Sequence, residues 1–218
     1  MIISQDTRLG RLEEFDRRSL AYPITALLPD KKPRSYTWSC GYTLDQGQEG
    51  SCVGHGFAHE LIAKPKVHVV DHTKAVEIYK KAQKLDPWPG ENYEGTSVLA
   101  GAKAVQEIYP KWLKEYRWAF ALDDLIMSVG YHGPAVLGVS WYTGMYSPNS
   151  SGVIAATGNV VGGHCILCKG VNIKQKLFLL HNSWGSRWGK NGSAYISFAD
   201  MDKLLKEGGE ACIPVSRG

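Results

Sequence analysis

At 218 residues the chain is long enough to bury a core of its own, as one large domain or as two small lobes sharing a cleft. A composition of 44% hydrophobic and 21% charged residues with 24 glycines excludes the disordered and fibrous classes. The net charge of +4 is scattered, and the basic doublets Arg17-Arg18, Lys31-Lys32 and Lys80-Lys81 sit beside acids or prolines, so they read as solvated faces and no nucleic acid is expected as a partner.

The first eighteen residues carry acids and arginines where a signal peptide needs an apolar run of about 7 to 15 residues. No apolar stretch approaches the roughly 20 residues of a membrane helix, so no membrane association and a cytoplasmic location are expected. Five cysteines, Cys40, Cys52, Cys165, Cys168 and Cys212, form an odd set without framework spacing, which points to reduced thiols in an intracellular setting.

Residues 1 to about 35 mix arginine, proline and acids without a sustained period and read as an N-terminal extension ahead of a main fold spanning 36–218. From Cys52 to Ala63 apolar positions recur at helical spacing, until Lys64-Pro65 ends the run. A second helix is expected from Asp71 or Thr73, a third after a cap at Thr96 or Ser97, and a short fourth ending at Gly130. Residues 36–112 thus form a mainly helical lobe.

Beyond residue 133 the texture turns to strands: "PAVLGVSW", "SGVIAA", "GGHCILCKGV", "KLFLLHNSW" and "SAYISF", separated by Gly, Asn and Ser turns. A last helix is expected from Asp200 to Gly208. The fold class is therefore α+β, with residues 113–218 forming a mainly β lobe and a cleft between the two.

One short stretch, "DQGQEGSCVGHGF" at 45–57, places Cys52 among small residues at a helix mouth, an unusual site for a structural thiol. Free N–H groups there favour the thiolate, as a neighbouring imidazolium would. Thiol catalysis also needs a base, a group that orients it and donors for the oxyanion. His164, in "GGHCILCKG", is the candidate base. Asn182, in "HNSWGSRWG", can accept an imidazole N–H without adding a charge that competes for the imidazolium. Gln46 is a candidate oxyanion donor beside the backbone N–H of Cys52.

Gln46 with "GSC" at 50–52, "HCILCKG" from His164 and "NSWGSRWGKNG" from Asn182, in that order, resemble the papain-like cysteine peptidases. The resemblance implies a papain-like two-lobed fold, a helical lobe and an antiparallel β-barrel-like lobe with the active-site cleft between them. It also implies Cys52 as nucleophile, His164 as general base and then acid, Asn182 as orienter, Gln46 as oxyanion donor and Trp184 as a cover over the Asn182 to His164 hydrogen bond. "YEGTS" at 93–97 resembles the family's substrate-pairing strand, which makes Gly95 a binding residue and puts Ser97, Cys165 and Trp184 at the substrate sites. Glu210 would lie at the end of the pocket for the second residue on the acyl side and accept a basic side chain.

The family signature departs at Glu49, where a cysteine is usual, and at Val53, where an aromatic is. No inhibitory propeptide is read in the extension, so control is expected from elsewhere. Cys165 and Cys168, a CxxC on one strand, read as packed neutral thiols rather than a redox or zinc pair, and His55 and His59, at helical spacing, lack the Glu of the metalloprotease motif. Trp141, Tyr142 and Tyr146 read as wall or loop packing, with lining of the cleft as the alternative.

The expected function is a thiol endopeptidase acting through an acyl-thioester, with a peptide or protein substrate and no metal or cofactor. The alternatives are a transpeptidase or cell-wall peptide hydrolase using the same thiol, or a non-catalytic binding relative. The compact form is similar to relatives carried by bacteria and their viruses.

Overall fold

The computed structural model describes residues 6–90 and 92–217, so the first five residues of the extension lie outside the described residues. In chain order the elements are β1 (Tyr36–Thr37), α1 (Cys52–Ile62), α2 (His72–Gln83), α3 (Val98–Ile108), β2 (Leu113–Trp118) and α4 (Leu122–Tyr131). The second half adds β3 (Ala135–Tyr142), β4 (Val153–Ile154), β5 (Val160–Asn172), β6 (Leu177–His181), β7 (Ser193–Ser197), α5 (Phe198–Lys206) and β8 (Glu210–Arg217).

Caps set most helix starts. Asp71 accepts from the Lys74 N–H at 3.0 Å, Ser97 from Ala100 at 3.0 Å and Ser197 from Asp200 at 3.0 Å, each satisfying a donor that the first turn would orphan. The last helix therefore begins at Phe198, two residues before the position expected from Asp200, because the final residue of β7 caps it. In α4 the Asp124 carboxylate performs the same service for the N–H groups of Phe120 and Ala121, both at 3.1 Å.

Every residue of α1 is buried, because it lies between α2 and α3 on one side and β3 and β5 on the other. Two glycines permit that density. A Cβ on Gly54 would stand 2.2 Å from the Ala75 carbonyl oxygen of α2, and one on Gly101 of α3 would stand 2.6 Å from both Val53 and Phe57. Gly54→Ala should lower stability by about 1–3 kcal/mol through overpacking against backbone. Thermal melting should then fall by about 2–10 °C, and an unchanged melting temperature would contradict the packing.

The sheet runs β2-β8-β3-β5-β6-β7-β4, with β1 added beside β5. All pairs are antiparallel except β4 with β7, which is parallel. The ends, β2 and β4, do not meet: the sheet is open and not closed into the barrel-like form expected. Two cores result. One joins α1, α2 and α3 with Leu113, Trp118 and Leu167; the other fills the space between the sheet, α4 and α5 around Trp141, Phe178 and Met201.

The extension is no detached arm. After a 3-10 turn at Arg17–Ala21, Trp118 N–H donates to the Tyr22 carbonyl at 3.0 Å, His132 Nε2 meets the Leu27 carbonyl at 2.8 Å, and the Arg34 guanidinium donates to the Gly130 carbonyl at 2.7 Å. It wraps β2 and α4 before entering β1.

Candidate active site

Register brings the distant motifs together. In β5, His164 pairs with Val139 of β3, and Leu167 pairs with His181 of β6, so Asn182, the next residue, turns back towards His164. His164 Nε2 donates to Asn182 Oδ1 at 2.8 Å, and the same oxygen accepts from the Ser183 N–H at 2.8 Å. The opposite nitrogen, Nδ1, is buried and has no hydrogen-bond partner among the described residues. That is the free nitrogen a base needs.

Trp184, expected as a cover over that hydrogen bond, packs against the imidazole at a tilt of 43°, ring centroids 4.9 Å apart. Trp141, fully buried, meets the imidazole edge-on at 4.7 Å and Trp184 at 5.3 Å, so the two indoles are adjacent. Its contact with the imidazole is a role missed by the reading as wall packing; the signal was its place three residues after Gly138 on an apolar strand, which could not by itself say what it touched. Tyr146 stacks on Trp184 at 5.8 Å, while Tyr142 turns away to donate to Glu207 at 2.6 Å.

Cys52 opens α1, fully buried. Gln46 is held from both ends: its N–H donates to the Ser183 carbonyl at 2.9 Å and its Oε1 accepts from Ser183 Oγ at 2.7 Å. This fixes Nε2 as a donor. Ser183, unremarked in the sequence beyond the motif around it, thus ties the Gln46 loop to Asn182.

The donor is occupied. Gln46 Nε2 donates to the carbonyl of Arg8 at 3.0 Å, as well as to that of Glu49 at 2.7 Å. Arg8 begins a stretch that threads the cleft. The Arg11 N–H donates to the Gly163 carbonyl at 3.0 Å, Thr96 N–H to the Gly10 carbonyl at 2.9 Å, and Leu12 N–H to the Thr96 carbonyl at 2.9 Å. Both bridges, Gly10 to Gly163 and Arg11 to Thr96, are parallel. Residues 8–12 of the extension thus plug the cleft, with the Arg8 carbonyl on the candidate oxyanion donor. Absence of periodicity hid this, because a short segment held by backbone bonds needs no side-chain pattern.

Approach this close demands small residues. A Cβ on Gly10 would stand 2.0 Å from the Gly50 oxygen, and one on Gly95 (φ +98°) would stand 2.4 Å from the Gly10 oxygen. Arg8 lays its guanidinium 4.1 Å from the Trp184 ring centroid and pairs with Asp6 at 2.7 Å. Arg11 enters the pocket ending at Glu210, donating to Oε2 from Nε at 3.1 Å and Nη2 at 2.7 Å, and to the Gly208 carbonyl at 2.7 Å. Gly138 borders that pair: its Cβ would meet Arg11 Nε at 2.9 Å. Ser97, besides capping α3, donates to the Glu14 carboxylate. Cys165 is buried against Gly56 of α1.

A family model described as papain family cysteine protease matches residues 40–208. The chain belongs to this family. Among solved structures, xylellain, a cysteine protease from Xylella fastidiosa, is similar with a TM-score of 0.70 at 19% identity, covering 100% of this chain and 99% of that one. A digestive procathepsin L 3 of Tenebrio molitor larval midgut aligns over 98% of this chain and 75% of its own, TM-score 0.59 at 14% identity. A recombinant stem bromelain precursor does so over 98% and 78%, TM-score 0.56 at 14% identity. An uncharacterised peptidase C1-like protein of Acanthamoeba polyphaga mimivirus is 50% identical over 32 residues, which span 15% of this chain and 10% of the viral one.

Burial shifts both members of the Cys52 and His164 pair in this papain-family chain. Burial pushes the Cys52 thiol up to about 11, against the backbone N–H groups of Cys165, Gly10 and Val53 that favour the thiolate. Burial likewise pushes His164 down to about 4, against the bond to Asn182. Between those values both groups are neutral. Among the described residues all five cysteines are free, no group of three or more His, Cys, Asp or Glu could hold a metal, and no helix is long and apolar enough to cross a membrane. His55 and His59 go separate ways, the first to Ser51 and His72, the second accepting from the Leu44 N–H at 2.9 Å.

Proposed function

We propose that this chain is a cysteine endopeptidase that cleaves peptide bonds through an acyl-thioester on Cys52, and that residues 8–12 hold it latent. The observation that carries this reading is the Arg8 carbonyl on Gln46 Nε2: a peptide group already sits on the donor proposed for the oxyanion. With the plug gone, water reaches the cleft, the burial that keeps the pair neutral is relieved, and a proton passes from Cys52 to His164 Nδ1. The thiolate attacks the scissile carbonyl, and the oxyanion takes the N–H of Cys52 and the amide of Gln46. His164, held by Asn182, gives its proton to the leaving amine and then draws one from the water that releases the acyl group.

The plug resists cleavage because of its direction. With Gly95 and Glu210 on the acyl side, a cleavable peptide has its N-terminal part there; the plug has its C-terminal part there, Arg11 and Leu12, and Arg8 at Trp184. The alignment of nearly the whole chain, extension included, with proteins described as a procathepsin and a precursor supports latency.

A peptidyl chloromethyl ketone tests the reading, since it alkylates a thiolate seated beside an imidazole. The parent at pH 7 should be labelled on Cys52 roughly 100-fold more slowly than a free thiol, from the hundredfold lower thiolate fraction at a pKa of about 11 against 9.0. A chain whose plug is displaced should be labelled rapidly at Cys52. Equal, slow labelling of both would contradict the assignment, and analysis of the products with an amine present separates hydrolysis from acyl transfer.

Latency should also weaken as pH rises. Burial pushes the Glu210 carboxyl from 4.5 up to about 7 in the closed form, with Arg11 opposing and Glu13 and Glu14 adding to the rise. When the plug leaves and water reaches the pocket, that carboxyl returns towards 4.5, so the closed form holds a proton more tightly than the open one and loses this advantage as pH climbs through about 7. The rate at which the parent gains activity should therefore rise from pH 6 to 8, and Glu210→Gln should remove that dependence.

A further inference from the structure

Beyond the loop that carries Asn182, a groove of about 1100 Å³ opens on the sheet. It exceeds the roughly 300–1,000 Å³ of pockets that enclose small ligands. Its walls are residues 40–43, 147–152 and 186–193, and its floor is Lys169 of β5, Leu179 and His181 of β6 and Tyr195 of β7.

The groove is cationic, with no aspartate or glutamate among its lining residues. Elsewhere Arg8, Arg11, Arg18, Lys74 and Arg117 each meet a carboxylate. The groove's three cations, Lys169, Arg187 and Lys190, form no ion pair among the described residues. Arg187 and Lys190 are exposed on the rim, but Lys169 is half-buried on the floor. Its ammonium finds only a neutral acceptor, His181 Nδ1 at 3.3 Å, a nitrogen that Ser193 Oγ also approaches at 2.8 Å. Burial pulls the Lys169 pKa down, the mark of a cation short of an anion.

We propose that this groove is an exosite that binds an acidic peptide segment of a protein substrate, its carboxylates meeting Lys169 on the floor and Arg187 and Lys190 on the rim. The length favours a peptide over a single ion, and Leu179, Trp188 and Tyr195 offer apolar surface between the charges. Chain continuity favours the substrate as its source. The wall at 186–193 is the direct continuation of Asn182 and Trp184, and Thr43 on the facing wall lies three residues before Gln46. A chain leaving Cys52 past Trp184 is thus delivered to the groove. The identity of the segment rests on the peptidase reading; the binding does not.

The first test uses the full chain as Cys52→Ala, so that no probe is cut. A labelled ten-residue Glu-Gly repeat should bind at least about tenfold tighter than its Gln-Gly counterpart, and 1 M salt should erase the difference, as expected of exposed charge pairs. Arg187→Glu with Lys190→Glu should cost at least tenfold in affinity, and Lys169→Met a similar loss with the rim intact; melting temperatures confirm folding, and Arg187→Gln with Lys190→Gln should give an intermediate loss. Equal binding of the two repeats, or indifference to the charge reversals, overturns the exosite. In the second test a chain with its plug displaced cleaves peptides bearing either repeat on the leaving side. A KM at least tenfold lower for the Glu repeat is expected, and equal KM values reject a substrate segment as the occupant. Failed catalysis would leave the binding readout standing, so the two readings fail separately.

Discussion

The full chain carrying Gly10→Leu together with Arg11→Ala should hydrolyse a peptide amide at pH 7 about a thousandfold faster than the parent, from two independent penalties on the closed form of about 1–3 and 1.5–3 kcal/mol. The first penalty is steric. A Cβ on residue 10 falls 2.0 Å from a backbone oxygen of Gly50, in the loop leading to Cys52, which cannot retreat without moving the nucleophile. The second is the loss of the Arg11 hydrogen bonds to Glu210 and to the Gly208 carbonyl, in a pocket where the arginine side chain is only 3% exposed. Neither change touches Cys52, His164, Asn182 or Gln46. The gain stops where the closed form ceases to be the majority, so the double variant should exceed each single one by less than their product. A parent already as fast as the double variant would mean that residues 8–12 leave the cleft freely in solution.

That plug also marks the boundary of what the sequence made legible. α1, α2 and α3 could be read because helical periodicity and Asp71 or Ser97 caps coincide, and the long apolar run around His164 could be read as β5. The catalytic set was legible because a thiol at a helix mouth, a histidine after two glycines and an asparagine framed by Trp and Gly are each unusual for packing alone. β8 was missed because Pro214 sits within it, and it pairs with both β2 and β3 nonetheless. The open sheet could not be read either, since closure depends on whether β2 and β4 meet, which no local pattern encodes. Ser183 and Trp141 went unassigned for a further reason: their contacts, to Gln46 and His164, join segments more than twenty residues apart.

The same distant contacts bear on the ion pair proposed for Cys52 and His164. Gln46, Ser183, Asn182 and His164 form one hydrogen-bonded chain from the helical lobe to the β lobe, with the adjoining Trp141 and Trp184 packed on the imidazole. None of these groups belongs to the plug. Its removal therefore changes the solvation of the centre while leaving its framework in place, which is what preorganised catalysis requires.

Within the opened chain, Cys52→Ala should take peptide hydrolysis to the buffer blank, a loss of at least about 10⁴-fold, since the covalent route has no other thiol to use. Cys165, the buried thiol adjoining His164, cannot substitute: burial and the nearby Cys52 push its pKa well above the ordinary thiol value. Gln46→Ala should lower kcat by about 10²–10³ with little change in KM, because its amide serves an oxyanion that exists only beyond the ground state. Ser183→Ala should act in the same direction more weakly, as it only aims that amide. Its separate signature is rescue: with Gln46 already replaced, Ser183→Ala should cost nothing further, whereas an additive loss would place Ser183 in some role other than positioning.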